Sequence, residues 1–241
     1  MSSQTDWSGF YKLPLAERQK KLAEYAKLTA AEAALLGKEG PLPLTAADQM
    51  SENVIGTVGL PLSIAPNFLI NGKEYAVPMA IEEPSVVAAA SYAAKLARPS
   101  GGFATTYTGS VMIGQIQLVG IQDVAAAEAK LAQSKDRLVA QALANAGHIT
   151  PYGGGIAGVQ WRHILTDRGP MVIVEFLVNV SDAMGANAVN TILEKMAPPL
   201  EELVGAKSRL KILTNLATHR MAGATAVWKA ADIGGADVVE G

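Results

Sequence analysis

Apolar and polar positions follow a helical period over the first part of the chain. Leu15, Leu22 and Tyr25 share one face of residues 13–28, while Glu17, Arg18, Lys20 and Lys21 fall mostly elsewhere, which predicts an amphipathic helix. Thr29 and Glu32 have the spacing of a capping box and predict a second, short helix ending near Gly37. Gly40-Pro41-Leu42-Pro43 breaks the pattern. Residues 53–58 and 68–70 read as strands, and Asn71-Gly72 reads as the hairpin turn into another strand, 75–81. Pro84 suits the first position of a helix reaching about Arg98. That helix is rich in small residues (Ala88, Ala89, Ala90, Ser91, Ala93, Ala94), which favours close packing against another backbone.

After Pro99-Ser100-Gly101-Gly102, a plausible domain boundary, the pattern changes. Residues 110–120 read as a strand and 124–146 as one long helix, followed by a glycine loop over 151–155. Two strands, 159–165 and 171–180, flank Asp167-Arg168-Gly169-Pro170. Residues 187–204 read as a helix that Pro198-Pro199 should bend or interrupt, and 209–213 as a last strand. The resulting β-α-β-β-α-β order is that of the ferredoxin-like split βαβ fold. Residues 222–241 carry no clear assignment.

Composition narrows the class. A chain of 241 residues suits one large domain or two small ones. The balance of 20 Lys and Arg against 22 Asp and Glu argues against a nucleic-acid arm or an acidic tail. A hydrophobic fraction of 49% supports a sizeable core and excludes a disordered chain. There is no cysteine, hence no disulfide framework and no thiolate nucleophile. The opening lacks a signal-peptide pattern, and no stretch reads as the ~20 strongly apolar residues of a bilayer span, so the expected setting is cytoplasmic.

Several local patterns invite chemistry. Gly153, Gly155 and Gly158 fit G-x-G-x-x-G, but a helix precedes them and a strand follows, the reverse of the dinucleotide-binding context, so a flexible loop is the better reading. His148, His163 and His219 have no metal-ligand spacing. Glu82-Glu83-Pro84-Ser85 stands at a strand-to-helix junction, where the carboxylates complement the helix dipole or one of them serves catalysis. Asp182-Ala183-Met184-Gly185-Ala186-Asn187 precedes a helix, where free N–H groups suit an anion such as a pyrophosphate or Asp182 acts as an ordinary N-cap.

These segments occur together in a known order. Phe10-Tyr11-Lys12-Leu13, then Glu52-Asn53-Val54-Ile55-Gly56, then Glu82-Glu83-Pro84-Ser85 leading into Val87-Ala88-Ala89-Ala90-Ser91-Tyr92, and finally Asp182 to Asn187, resemble hydroxymethylglutaryl-CoA reductase of the class II bacterial type. The resemblance runs along the whole chain and corresponds to the N-terminal portion of such an enzyme. It implies an α+β architecture: a mainly helical large domain, incomplete here, interrupted by a small ferredoxin-like nicotinamide-binding domain. The expected division is 1–107 for the first part of the large domain (substrate, CoA and dimerisation), 108–216 for the small domain and 217–241 for a return to the large domain.

The implied activity is a reversible two-hydride reduction of the hydroxymethylglutaryl-CoA thioester, through a hemithioacetal and an aldehyde, to mevalonate and CoA in isoprenoid biosynthesis. Glu83 matches the family's catalytic proton donor and Ser85 a position contacting the hydroxymethylglutaryl group. Asp182, Met184, Gly185 and Asn187 match the family's dinucleotide loop, and Asn215 an asparagine near the reacting centre. Lys12 lies in the region used for CoA phosphates. Ala146 stands where relatives selective for the non-phosphorylated cofactor carry an acidic residue, which leaves NADH and NADPH both open. Glu52 to Gly56 match the family's dimer motif, so a homodimer or higher oligomer is implied. The family's catalytic lysine, in an Asp-Lys-Lys motif, its catalytic aspartate and its flap histidine lie beyond the equivalent of Gly241, and none of Lys207, Lys211 or Lys229 matches that lysine. The resemblance therefore predicts little or no turnover by the 241-residue chain. The alternative is a non-catalytic, dimerising nucleotide-binding module.

Overall fold

The computed structural model describes residues 7–38, 40 and 42–240. The polar opening Met1 to Asp6, Pro41 of the expected break and the terminal Gly241 lie outside them. In chain order the helices and strands are α1 (Leu15–Ala26), α2 (Ala30–Leu35), α3 (Leu44–Met50), β1 (Leu62–Ile70), β2 (Lys73–Ala80), α4 (Pro84–Ala97), β3 (Phe103–Tyr107) and β4 (Val111–Val119). They continue with α5 (Val124–Gln133), α6 (Lys135–Ala144), β5 (Gly155–Thr166), β6 (Gly169–Asn179), α7 (Ala186–Val204), β7 (Lys207–Leu213), β8 (Ala222–Ala226) and α8 (Ala236–Glu240). The chain divides into two compact units, one from the described parts of 1–105 and 224–241, the other Thr106–Gly223. No helix among the described residues is long and apolar enough to cross a membrane.

The first unit adds a four-stranded sheet, ordered β2-β1-β3-β8, to the helices expected there. The capping box forms as the sequence implies: the Thr29 hydroxyl accepts from the Glu32 N–H and Glu32 accepts from the Thr29 N–H at 2.7 Å. Asn71 and Gly72, both at positive φ, close the β1–β2 hairpin with Ile70 opposite Lys73. Helix α4 lies against β1 through small residues, with Ala94, Ala97 and Ala65 fully buried. At a break in the β1–β2 register, Asn67 has φ 77°. Its side chain donates to the Ser91 carbonyl at 3.3 Å, and its own carbonyl accepts from Arg98, which also pairs with Glu74. These contacts fix α4, and hence its N-terminus, against the sheet.

One expectation fails in this unit. Residues 53–58 form no strand. A strand exists through pairing, and no neighbour among the described residues pairs with this stretch, so Ile55 and Val58 are exposed, at 103% and 92%.

The second unit is an antiparallel sheet ordered β5-β6-β4-β7. With the helices between strands, this is the split βαβ arrangement expected from the element order. Alternation along β6 puts Val172, Val174, Phe176 and Val178 on one fully buried face, joined by Ile116 and Leu118 of β4. Helix α7 covers that face with Val189, Ile192, Leu193, Met196 and Leu200, none with exposed surface. The helix approaches so closely that a Cβ on Gly114 of β4 would sit 2.6 Å from Val189 Cγ1. On the opposite face Glu175 accepts from Gln115 at 2.9 Å and Gln160 at 2.8 Å, with Arg162 at 3.5 Å. Burial would raise its pKa, but these donors outweigh it and hold the carboxyl below its usual range.

The long helix of this unit differs from expectation. The long helix expected over 124–146 is two: α5 ends at Gln133, Ser134 sits at φ −101° and ψ 5°, and α6 begins at Lys135. Each piece buries its own apolar pair, Ala127 with Leu131 and Leu138 with Ala142. Pro198-Pro199 do not interrupt α7, which runs through them. The prolines withdraw two N–H donors opposite exposed Glu194 and Lys195, while Met196, Ala197 and Leu200 hold the helix to the core.

Truncating the centre of this core should be costly. Phe176→Ala is expected to lose about 3–5 kcal/mol, whereas Leu165→Ala, at 75% exposure, should stay within about 0.5 kcal/mol. Urea unfolding of both variants checks this.

Candidate functional site

Glu83 is the N-cap of α4, with φ −88° and ψ 113°. Two constraints coincide there. An N-cap needs extended backbone, and so does a residue before proline. Pro84 then starts the helix without a wasted N–H. The Glu83 carboxylate turns back onto the first turn, where Oε1 accepts from the Ser85 hydroxyl at 2.6 Å and from the Ser85 N–H at 3.2 Å. The hydroxyl bond first, and then the backbone bond, hold the Glu83 pKa below the usual carboxylate range. Glu83 is therefore ionised at neutral pH, and the two residues form one exposed acceptor–donor pair. Glu82 beside it is exposed.

The second cluster lies ahead of α7. Ser181 has φ 52° and Gly185 φ 96°. A Cβ on Gly185 would meet Val180 Cγ1 at 2.7 Å, so both the backbone conformation and the close approach require glycine. Gly185, not Asp182, is the N-cap, and no side chain among the described residues caps the helix. This corrects the reading of Asp182 as an ordinary N-cap. Asp182, Met184 and Asn187 are exposed. The first N–H groups of this 19-residue helix have no intrahelical partner. Arg220 reaches this loop and donates to the Ala183 carbonyl at 3.2 Å and the Met184 carbonyl at 3.3 Å. Asn215 lies exposed in the segment between β7 and β8 that also carries Arg220.

The remaining positions stand apart from these clusters. Lys12 ends a single turn of 3-10 helix, exposed, with Nζ 5.6 Å from the Tyr11 ring centre. Ala146 has no exposed surface and belongs to the core beneath the sheet, so its methyl group presents nothing to a ligand. In the 153–158 glycine stretch the close approach is at Gly154, whose Cβ would lie 2.7 Å from the Asn179 carbonyl, so packing onto the end of β6 accounts for it. Sequence reasoning missed Arg220 and Asn67, because contacts over |i−j| = 36 and 24 leave no local signature.

The family model of hydroxymethylglutaryl-coenzyme A reductase matches residues 14–240, and the chain belongs to that family. A curated 3-hydroxy-3-methylglutaryl-coenzyme A reductase from Archaeoglobus fulgidus is 53% identical over 233 residues, covering 97% of this chain and 53% of that protein. The class II reductase from Streptococcus pneumoniae, solved bound to NADPH in open conformations, superposes with a TM-score of 0.89 at 38% identity, over 95% of this chain and 62% of that one. A second structure of the Streptococcus pneumoniae reductase also gives 0.89, at 39% identity, over 95% of this chain and 54% of that one. The chain thus spans about half the length of the curated relative.

Two outcomes follow from the geometry. Gly185→Ala should destabilise the second unit by at least about 1 kcal/mol through backbone strain alone, measurable by urea unfolding. Ser85→Ala should raise the Glu83 titration midpoint toward that of an ordinary glutamate, followed by NMR of the side-chain carboxyl. The sign for stability is fixed by the depressed folded-state value: the Glu83 cap favours the folded state above the unfolded carboxyl's pKa, and its contribution is lost as pH falls through the folded one.

Proposed function

We propose that this chain forms part of an NAD(P)H-dependent reductase that converts hydroxymethylglutaryl-CoA to mevalonate and CoA, in either direction. The observation that carries the reading is the Glu83–Ser85 pair at the start of α4, in a chain of this family. Ser85 offers its hydroxyl to the hydroxymethylglutaryl group, and Glu83 is the proton donor. Resting Glu83 is ionised, so it takes up its proton only when substrate draws the Ser85 hydroxyl away or excludes water from the carboxylate.

In this reading the Thr106–Gly223 unit holds the dinucleotide. The unpaired N–H groups at the head of α7 and the close backbone at Gly185 fit an anionic, extended ligand. Asp182, Met184, Gly185 and Asn187 would line it, and Asn215 would serve the reacting centre. The bound reduced nicotinamide supplies hydride. Ala146 faces the core and takes no part in the choice of dinucleotide, so the proposal carries both NADH and NADPH. Lys12 is assigned to the CoA phosphates. The exposed apolar stretch around Ile55 and Val58, within and beyond Glu52 to Gly56, is the contact for a second copy.

Titration with NADPH and with NADH, followed by nicotinamide fluorescence, tests the reading. Saturable binding is expected between about 1 μM and 1 mM, the usual range of substrate constants, and Glu83→Gln should leave it unchanged. Failure of both dinucleotides to bind would overturn the assignment.

A further inference from the structure

The Arg220 guanidinium is placed where simple electrostatics disfavours it. It lies against the two carbonyls that immediately precede the N-cap of α7, at the positive end of a 19-residue helix dipole. No carboxylate among the described residues pairs with it. It is held instead by backbone. Its own N–H donates to Ala217 O at 2.9 Å. The flanking residues are fastened to Thr108, whose hydroxyl meets the His219 carbonyl at 3.1 Å and the Met221 N–H at 2.8 Å. The arginine thus joins a fixed segment to a loop that has no other remote side-chain partner among the described residues.

The direction of those bonds has a consequence. A trans peptide is planar, so a carbonyl and the N–H of the next residue point opposite ways. With the Ala183 and Met184 carbonyls turned onto Arg220, the N–H groups of Met184 and Gly185 face away from it. Neither finds an acceptor among the described residues. They extend the row of unpaired donors at the head of α7.

We propose that Arg220 is a positioning residue that presets the loop from Asp182 to Gly185, turning the Met184 and Gly185 N–H groups toward the bound dinucleotide. The proposal rests on the reading of this loop as dinucleotide-binding. Arg220 need not touch the ligand: its guanidinium orders the backbone before the ligand arrives, which lowers the ordering cost of binding.

The test uses the 241-residue chain with Arg220→Gln, Arg220→Lys and, as an equal loss of charge elsewhere in the unit, Arg168→Gln at the exposed β5–β6 turn. Two readouts are needed: the dissociation constant for NADPH by fluorescence, and backbone order parameters of Met184 and Gly185 without ligand. Arg220→Gln is expected to weaken NADPH by about tenfold or more, the effect of losing hydrogen bonds from a charged donor. The two amides should fall from rigid values near 0.85 to below about 0.6, with the unfolding midpoint unchanged. Arg220→Lys should lie between, and Arg168→Gln should match the parent chain. Unaltered order at Met184 and Gly185 in Arg220→Gln, or unaltered affinity, overturns the proposal. If the parent chain binds no dinucleotide, the functional reading fails, and the order parameters alone still decide whether Arg220 presets the loop.

Discussion

The burial of one face of the β5-β6-β4-β7 sheet under α7 is the constraint on which the rest of the second unit depends. Strand alternation presents Val172, Val174, Phe176 and Val178, and the helix answers with Val189, Ile192, Leu193, Met196 and Leu200. Because both faces are filled to contact distance, the helix has little freedom to slide along the strands. Gly114 marks how near it lies, and the two prolines in α7 are tolerated because this packing outweighs two missing hydrogen bonds. Fixing the helix fixes its N-terminus. Gly185 and Val180 then determine how the preceding loop turns, and Arg220 holds the loop's outer carbonyls.

The candidate site of the first unit is built by a different route. Proline after Glu83 forces the extended backbone that an N-cap also requires, and the glutamate side chain folds back to Ser85. The cap that starts the helix is thus also the group assigned to proton transfer. Stability and chemistry ask opposite things of it. As a cap it is best ionised; as a donor it must be protonated. In the proposed reaction a hydroxyl shared between Glu83 and substrate would link the two demands, since removing Ser85 from the carboxylate favours the protonated form.

Much of this was legible in the sequence wherever the signal is local. The Thr29–Glu32 box, the Asn71-Gly72 turn, Pro84 at the head of α4 and the β-α-β-β-α-β order all survive in the structure. The failures have a common cause. Whether residues 53–58 form a strand depends on a partner that periodicity does not reveal. The N-cap fell on Gly185 rather than Asp182, at a left-handed backbone angle that residue spacing alone does not show. The site motifs were found through the family resemblance, while Arg220 and Asn67 act across distant parts of the chain and have no short pattern to betray them.

The loop ahead of α7 is proposed to receive the dinucleotide. The most direct test is an amide chemical-shift map of the chain through an NADPH titration. The largest changes should fall on residues 181–188, with the β5–β6 turn at Asp167 and Arg168 unmoved. Changes centred on the glycine stretch 153–158, or an unperturbed 181–188 loop at saturating NADPH, would contradict it.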